Sequence, residues 1–300
     1  MINAKLNVPK PANEPVLEFR PGSPEKARLK KQLDKMLGEQ IEIPLIIGGE
    51  EVKTGSLKDC RSPHDHQHLL AQYHAGGTPE VQAAAEACAK AAPAWAAMPW
   101  ESRVSILQKA GELLATKYRD VLNAATMLGQ SKTAHQAEID SACELIDFYR
   151  FNAYYAMELM SEQPGSGPGI WNYVDHRPLE GFVFAVTPFN FTAIAGNLPT
   201  APAVMGNTVI WKPASSAVYS AYFLMKLFEE AGMPPGVINM VPGPGGQIGD
   251  PAINHPSLAG VHFTGSTPVF HGMWKTIGES VTKAVVFQEK HANEIGRAHV

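Results

Sequence analysis

Three short segments of this chain carry groups that could hold a nucleotide beside a reacting carbonyl. Thr187-Pro-Phe-Asn-Phe191, Trp211-Lys-Pro213 and Phe263-Thr-Gly-Ser266 each follow a short apolar run. Asn190 offers an uncharged amide. Aimed at a carbonyl oxygen under attack, such a donor is worth about 3–4 kcal/mol in the transition state. Lys212 offers an ammonium that can donate to ribose hydroxyls. Gly265 lets backbone approach a ligand, Ser266 adds a hydroxyl, and the free N–H groups of a helix start favour a pyrophosphate. Taken singly, each has a plainer reading. Asn190 is a turn asparagine after Pro188, Lys212 a solvated strand-end lysine, and Thr264-Gly-Ser a generic turn.

The elements that must position them form an alternating pattern. Phe182–Val186 is continuously apolar, as expected of a strand buried on both faces. Residues 208–211, 237–241 and 260–263 read the same way. A helical stretch from Ser216 to Glu230 lies between two of them, with Val218, Tyr222, Leu224, Met225 and Phe228 on its apolar face and Gly232 as its stop. Strand–helix alternation at this spacing predicts right-handed parallel crossovers and a doubly wound sheet, whose ligands sit at the carboxyl ends of the strands. Asn190, Lys212 and Gly265-Ser266 all fall just past such ends.

Upstream, residues 1 to about 22 read as an extended arm. Ser23-Pro-Glu opens a charged helix expected to run to about Gly38. Residues 41–52 read as short strands turning at Gly48-Gly49. From Pro79 to about Met160 the apolar period of 3.6 predicts helices, through Val81, Cys88, Leu107, Leu114, Leu145 and Phe148. Residues 163–169 form a breaker, and the alternation from Ile170 predicts a strand with one polar face.

Composition narrows the classes. Three hundred residues, 45 % of them hydrophobic, suit a globular protein with a substantial core. A balance of 25 basic and 29 acidic residues without a basic run gives nucleic acid little to bind. No apolar run approaches membrane length, and the N-terminus reads neither as a secretion signal nor as an Arg-rich transit peptide. Three cysteines, Cys60, Cys88 and Cys143, argue for a reducing compartment. None sits in a nucleophile-like context, and Cys88 and Cys143 fall on helical faces, so all three read as structural. Residues 64–68, His-Asp-His-Gln-His, read as a polar loop rather than a metal site. Two glycine patterns are set aside. Gly129-Gln-Ser-Lys-Thr133 lacks the glycines of a phosphate loop, and Gly243-Pro-Gly-Gly-Gln-Ile-Gly249 is a lone fingerprint match.

In this order, Pro188-Phe-Asn-Phe, Trp211-Lys-Pro and Phe263-Thr-Gly-Ser resemble the aldehyde dehydrogenase superfamily. The likeness runs from about residue 15 to about 278. Asn13-Glu-Pro-Val, Gln136-Ala-Glu-Ile-Asp and Glu144-Leu-Ile-Asp-Phe-Tyr-Arg-Phe-Asn-Ala153 are similar to its 1-pyrroline-5-carboxylate dehydrogenase branch. The resemblance implies an α/β fold: a doubly wound parallel sheet of Rossmann type, a helical N-terminal part over 1–160, an oligomerisation β-hairpin over 161–181 and the βαβ part over 182–279. It implies NAD-dependent oxidation of glutamate γ-semialdehyde to glutamate in proline degradation, by a cysteine thiolate and a glutamate-activated water. Asn190 would steady the oxyanion and Lys212 the adenosine ribose. Gly265, Ser266, Thr267, Pro268 and Val269 would line the phosphates near the nicotinamide, with Thr187 touching the cofactor. The loop after residue 241 would lie near adenine. A homodimer or larger homo-oligomer is implied, with no nucleic-acid or membrane partner, in a cytoplasm or alternatively a mitochondrial matrix.

The sequence departs from that pattern in three places. Ser215 stands where many NAD-specific members have a glutamate, which leaves NADP open. The family's nucleophilic cysteine and catalytic glutamate, expected downstream of Ser266, do not occur in context; Glu289 does not fit. Finally, Glu294-Ile-Gly-Arg-Ala-His-Val300 back-translates to a string resembling a sequencing-library adapter. Residues 280–300 are therefore expected to be an artefactual tail on a naturally longer protein whose catalytic domain is missing, and this chain to be inactive. Two alternatives are a non-catalytic nucleotide-binding or oligomerisation module, and an aldehyde dehydrogenase for another aldehyde.

Overall fold

The computed structural model describes residues 8–290, with 281–290 described as backbone. Residues 8–22 run without helix or strand and are pinned rather than loose. Glu14 pairs with Arg119 and Arg150, and the Leu17 N–H donates to Glu138 at 2.9 Å. Helix α1 (Pro24–Leu37) begins where Ser23 caps the Lys26 N–H and ends against Gly38. Strands β1 (Ile41–Ile43), β2 (Leu45–Ile47) and β3 (Glu50–Val52) follow, then β4 (Leu57–Ser62) and β5 (Asp65–His74). Helices α2 (Thr78–Ala97), α3 (Trp100–Ala115), α4 (Arg119–Gln130) and the short α5 (Ala134–Ala137) lead into a π-helical segment, Glu138–Glu144, and α6 (Leu145–Ser161). The remainder alternates: β6 (Phe182–Val186), α7 (Thr192–Val204), β7 (Thr208–Lys212), α8 (Val218–Ala231), β8 (Ile238–Met240), α9 (Gly245–Ile253), β9 (Leu258–Phe263) and α10 (Thr267–Lys290).

Among the described residues the main sheet has the order β3-β2-β8-β7-β6-β9. β8, β7, β6 and β9 are parallel, and β2 and β3 extend them antiparallel at one edge. A second sheet, β1-β5-β4, lies apart. Apolar runs form the inner strands because both faces are covered. Phe182, Phe184 and Ile210 pack with Val81 and Ala84 of α2 and Ile248 of α9. Val183, Ala185, Val209 and Trp211 turn the other way, onto Leu107, Leu145, Leu198 and Leu224. Gly181 starts β6 at φ +121, where a Cβ would lie 2.1 Å from the Ser257 carbonyl oxygen. The chain can enter the sheet there only without a side chain.

Several expectations need correcting. The segment 64–68 is not a loop: it turns β4 into β5, and its polar residues sit on an exposed hairpin. As expected, residues 41–52 form short strands, and β2 and β3 join the main sheet with β6 to β9. No strand forms from Ile170. Only Gly167 and Ile170 bridge, and side chains complete the fold-back: Gln163 bonds both the N–H and the carbonyl of Val174, and Ser166 accepts from the Asn172 N–H. A ladder needs a neighbouring backbone, and among the described residues no strand lies beside this arm. Of the expected tail, the backbone continues α10 to Lys290, and residues 291–300 lie outside the described residues.

Candidate functional site

The chain visits the parallel strands in an order that reverses beside β6. From β6 it moves outward through β7 to β8, then returns to place β9 on the other side of β6. At such a reversal the loops leaving adjacent strands diverge and leave a crevice at the carboxyl ends. A cavity of about 880 Å³ lies there. Thr187, Pro188, Phe189 and Asn190 leave β6 into its wall, Lys212 and Ala214 leave β7, and Thr264, Gly265 and Ser266 leave β9. Three segments distant in sequence therefore converge as their positions past strand ends predict.

Lys212 is 8 % exposed, and its Nζ donates to the Pro213 carbonyl at 3.1 Å. No carboxylate pairs with it among the described residues. Burial lowers the ammonium's affinity for its proton. Thr187 is buried too, its Oγ1 accepting from the Trp211 indole N–H at 3.0 Å, while its own N–H donates to the Lys212 carbonyl. The ends of β6 and β7 are thus tied together behind the cavity. Asn190 is exposed at the rim between Phe189 and Phe191.

Not every expected residue reaches the wall. Val269 does, together with Gly272, Met273 and Thr276 of α10. Thr267 and Pro268 open that helix outside the wall. Part of the wall comes from the segment after β8. Gly245, Gly246, Gly249 and Asp250 at the start of α9 line the cavity. The glycines belong to the run after an apolar strand that the resemblance places near adenine. A Cβ at Gly245 or Gly249 would meet no atom within 4 Å, so these positions stand open toward the cavity. The first turns of α9 and α10 both lie at this end of the sheet, and first-turn N–H groups lack intrahelical acceptors. Two such termini, one buried ammonium and an apolar floor of Phe184, Val186 and Ile253 suit an extended, anionic, partly aromatic ligand.

A second set of residues that sequence reasoning did not place stands behind Asn190. Asp140, 2 % exposed, accepts from the N–H groups of Thr192 at 3.0 Å and Ala193 at 2.8 Å. Lys132 donates to the same carboxylate at 2.6 Å, and its Nζ lies 4.2 Å from the centre of the Phe191 ring. The phosphate-loop-like string at 129–133 thus spends its lysine on a protein carboxylate. Cys60, Cys88 and Cys143 are all buried, none lines the cavity, and burial pushes each thiol up to about 12. Among the described residues no group of His, Cys, Asp or Glu is arranged to hold a metal, and no helix is long and apolar enough to cross a membrane.

Comparison with known proteins agrees with this architecture. The delta-1-pyrroline-5-carboxylate dehydrogenase of Agaricus bisporus is 48 % identical over 286 residues, covering 95 % of this chain and 52 % of its own length. The mitochondrial delta-1-pyrroline-5-carboxylate dehydrogenase of Dictyostelium discoideum is 43 % identical over 283 residues, with coverage of 94 % and 51 %. The crystal structure of the Mycobacterium tuberculosis delta-pyrroline-5-carboxylate dehydrogenase bound with NAD superposes with a TM-score of 0.92 at 49 % identity, covering 94 % of this chain and 53 % of that one. The chain thus spans about half the length of the relatives it matches. The model of the aldehyde dehydrogenase family matches residues 51–288. With the strand order, the cavity at its reversal and that match in agreement, the chain belongs to the aldehyde dehydrogenase family.

Proposed function

We propose that this chain forms the nucleotide-binding half of a 1-pyrroline-5-carboxylate dehydrogenase, an enzyme that oxidises glutamate γ-semialdehyde to glutamate with NAD. The observation that carries the reading is the meeting of Asn190, Lys212 and Gly265-Ser266 in one cavity wall at the strand-order reversal. The cavity fits the nucleotide on its own chemistry. Lys212 carries a buried ammonium whose partner among the described residues is a single carbonyl, so it has donors to spare for ribose hydroxyls. Gly265, Ser266 and the first turn of α10 suit a pyrophosphate, and Val269 and Thr187 flank it. Thr267 and Pro268 form the start of that helix, next to the wall.

When bound, the nicotinamide would supply hydride acceptance. The chain's own contribution is to bind, to orient and, through the Asn190 amide, to donate to an oxyanion. None of the three thiols lies in the cavity wall, so the 300 residues as they stand bind nucleotide without turning over aldehyde. Ser215, whose hydroxyl donates to the Gly243 carbonyl at 3.1 Å, puts no negative charge near the ribose, and NADP is tolerated beside NAD. The arm at 162–181 carries Ile170, Trp171 and Tyr173 at 62, 89 and 76 % exposure and pairs with a second copy. A reducing compartment, cytoplasm or mitochondrial matrix, suits the free cysteines; the Dictyostelium relative is named mitochondrial.

Calorimetric titration with NAD, followed by an absorbance assay for NADH with the semialdehyde, tests the reading. Micromolar to submillimolar binding without turnover is expected for the chain, and turnover for a reading frame that includes a cavity-facing cysteine. Absence of nucleotide binding contradicts it.

A further inference from the structure

The loop that carries Asn190 ends where α7 begins, and α7 has no cap of its own. Its N-cap residue is Phe191, which offers no side-chain acceptor. The unpaired N–H groups of Thr192 and Ala193 go instead to the two carboxylate oxygens of Asp140, 52 and 53 positions earlier. A carboxylate at a helix N-terminus is favoured by the dipole and by charge-assisted hydrogen bonds. Asp140 is delivered there by the π-helical segment Glu138–Glu144, whose wide turn also buries Glu138 and Ser141. Turns of this kind have poor intrinsic stability and concentrate at functional sites. Lys132 completes the arrangement. One ammonium bonds Asp140 and lies over the ring of Phe191, the residue beside Asn190.

Stability alone is a poor reason for this pair. A buried ion pair contributes little over a well-packed apolar replacement, whereas it does fix geometry. We infer that Asp140 and Lys132 are positioning residues that hold the Asn190 loop against the cavity through the start of α7 and the Phe191 ring. The inference deepens the proposed function and rests on it only where nucleotide is concerned. Thr126 and Gln130, which both bond the Thr192 hydroxyl at 2.7 and 2.8 Å, brace the same helix start from α4.

The test uses the 300-residue chain and three variants, Asp140→Asn, Lys132→Met and Lys132→Arg. Amide hydrogen exchange at Thr192 and Ala193 is read by NMR against the amides of β6, and NAD is titrated into each protein. Asp140→Asn is expected to speed exchange at the two amides about tenfold beyond any change in β6, and to weaken NAD about threefold or more. Lys132→Met takes a smaller step in the same direction. Lys132→Arg returns toward wild type, since a guanidinium keeps both the ion pair and the stacking. Exchange that rises only in parallel with β6 overturns the inference, as does an arginine variant indistinguishable from the methionine one. Should Asp140→Asn not fold, the two lysine variants decide. Should wild type take up no NAD, the nucleotide reading fails on that arm, and the exchange arm still judges the anchoring.

Discussion

The two walls of the cavity differ in how firmly their side chains are held. On one, β6 and β7 lie inside the sheet, and every residue of β7 is buried. Thr187, Trp211 and Lys212 are interlocked there by hydrogen bonds, and the Asn190 loop is anchored beyond its end by Asp140. On the other, β9 lies at one edge of the sheet among the described residues, and all six of its residues are half-buried. On α10, Val269 in the wall is 48 % exposed, and Phe270 and Trp274, on the same helix outside the wall, are 41 and 66 % exposed. The contrast teaches that Thr187, Trp211 and Lys212 are fixed because they sit in the buried wall, where an unpaired polar group is costly. The edge wall supplies apolar surface and helix-terminal N–H groups, which demand less precision.

Truncation should break this contrast first. Trp211→Ala removes an indole with no exposure and takes the donor from the Thr187 hydroxyl, so a loss of about 3–5 kcal/mol is expected in urea unfolding. Trp274→Ala is expected to cost under about 1 kcal/mol. Similar losses at both sites would erase the distinction between the walls.

Lys212 sharpens it further, because function and stability should move in opposite directions. Lys212→Met is expected to weaken NAD binding about 10- to 100-fold, as loss of a charge-assisted hydrogen bond does. The same change removes a buried ammonium and should stabilise the free protein by on the order of 1 kcal/mol. The pH dependence follows from burial lowering the lysine's pKa. The folded chain then holds fewer protons than the unfolded one between the lowered pKa and the ordinary 10.5. The penalty is full below that window, and stability rises with pH through it. Denaturation midpoints should show the rise in wild type and its loss in Lys212→Met.

Smaller effects follow at the rim. Ser215→Glu should raise the preference for NAD over NADP by about tenfold in competitive titration, through repulsion of the 2′-phosphate. Val269→Ser, on the half-exposed wall, should change stability by under about 0.5 kcal/mol and NAD affinity by no more than about threefold.

Much of the buried wall was legible in the sequence because double-sided burial writes itself as an unbroken apolar run. Residues 182–186 and 208–211 announce their strands; Asn190 and Gly265 lie just past strand ends and Lys212 closes its strand. The β4–β5 hairpin was not legible. Both of its faces are exposed near the turn, with Lys58, Asp59, His66 and Gln67 in solvent, so no apolar alternation marks the strands. The strand expected from Ile170 alternates correctly, yet pairing requires a neighbour. The π-helical turn at 138–144 lies inside a pattern of period 3.6 that continues on both sides, so nothing in the spacing marks where Asp140 points. Gly245 and Gly249 were visible but ambiguous, since a glycine run becomes a wall only once β8 is known to end beside β7.

The most direct measurement is a crystal structure of the chain soaked with NAD. The account predicts the nucleotide in the cavity, a ribose hydroxyl within hydrogen-bond distance of Lys212 Nζ, the pyrophosphate near Gly265 and Ser266, and the nicotinamide toward Asn190. Density for NAD elsewhere, or in the cavity with Lys212 turned away and no contact to the residue 264–266 turn, would contradict it.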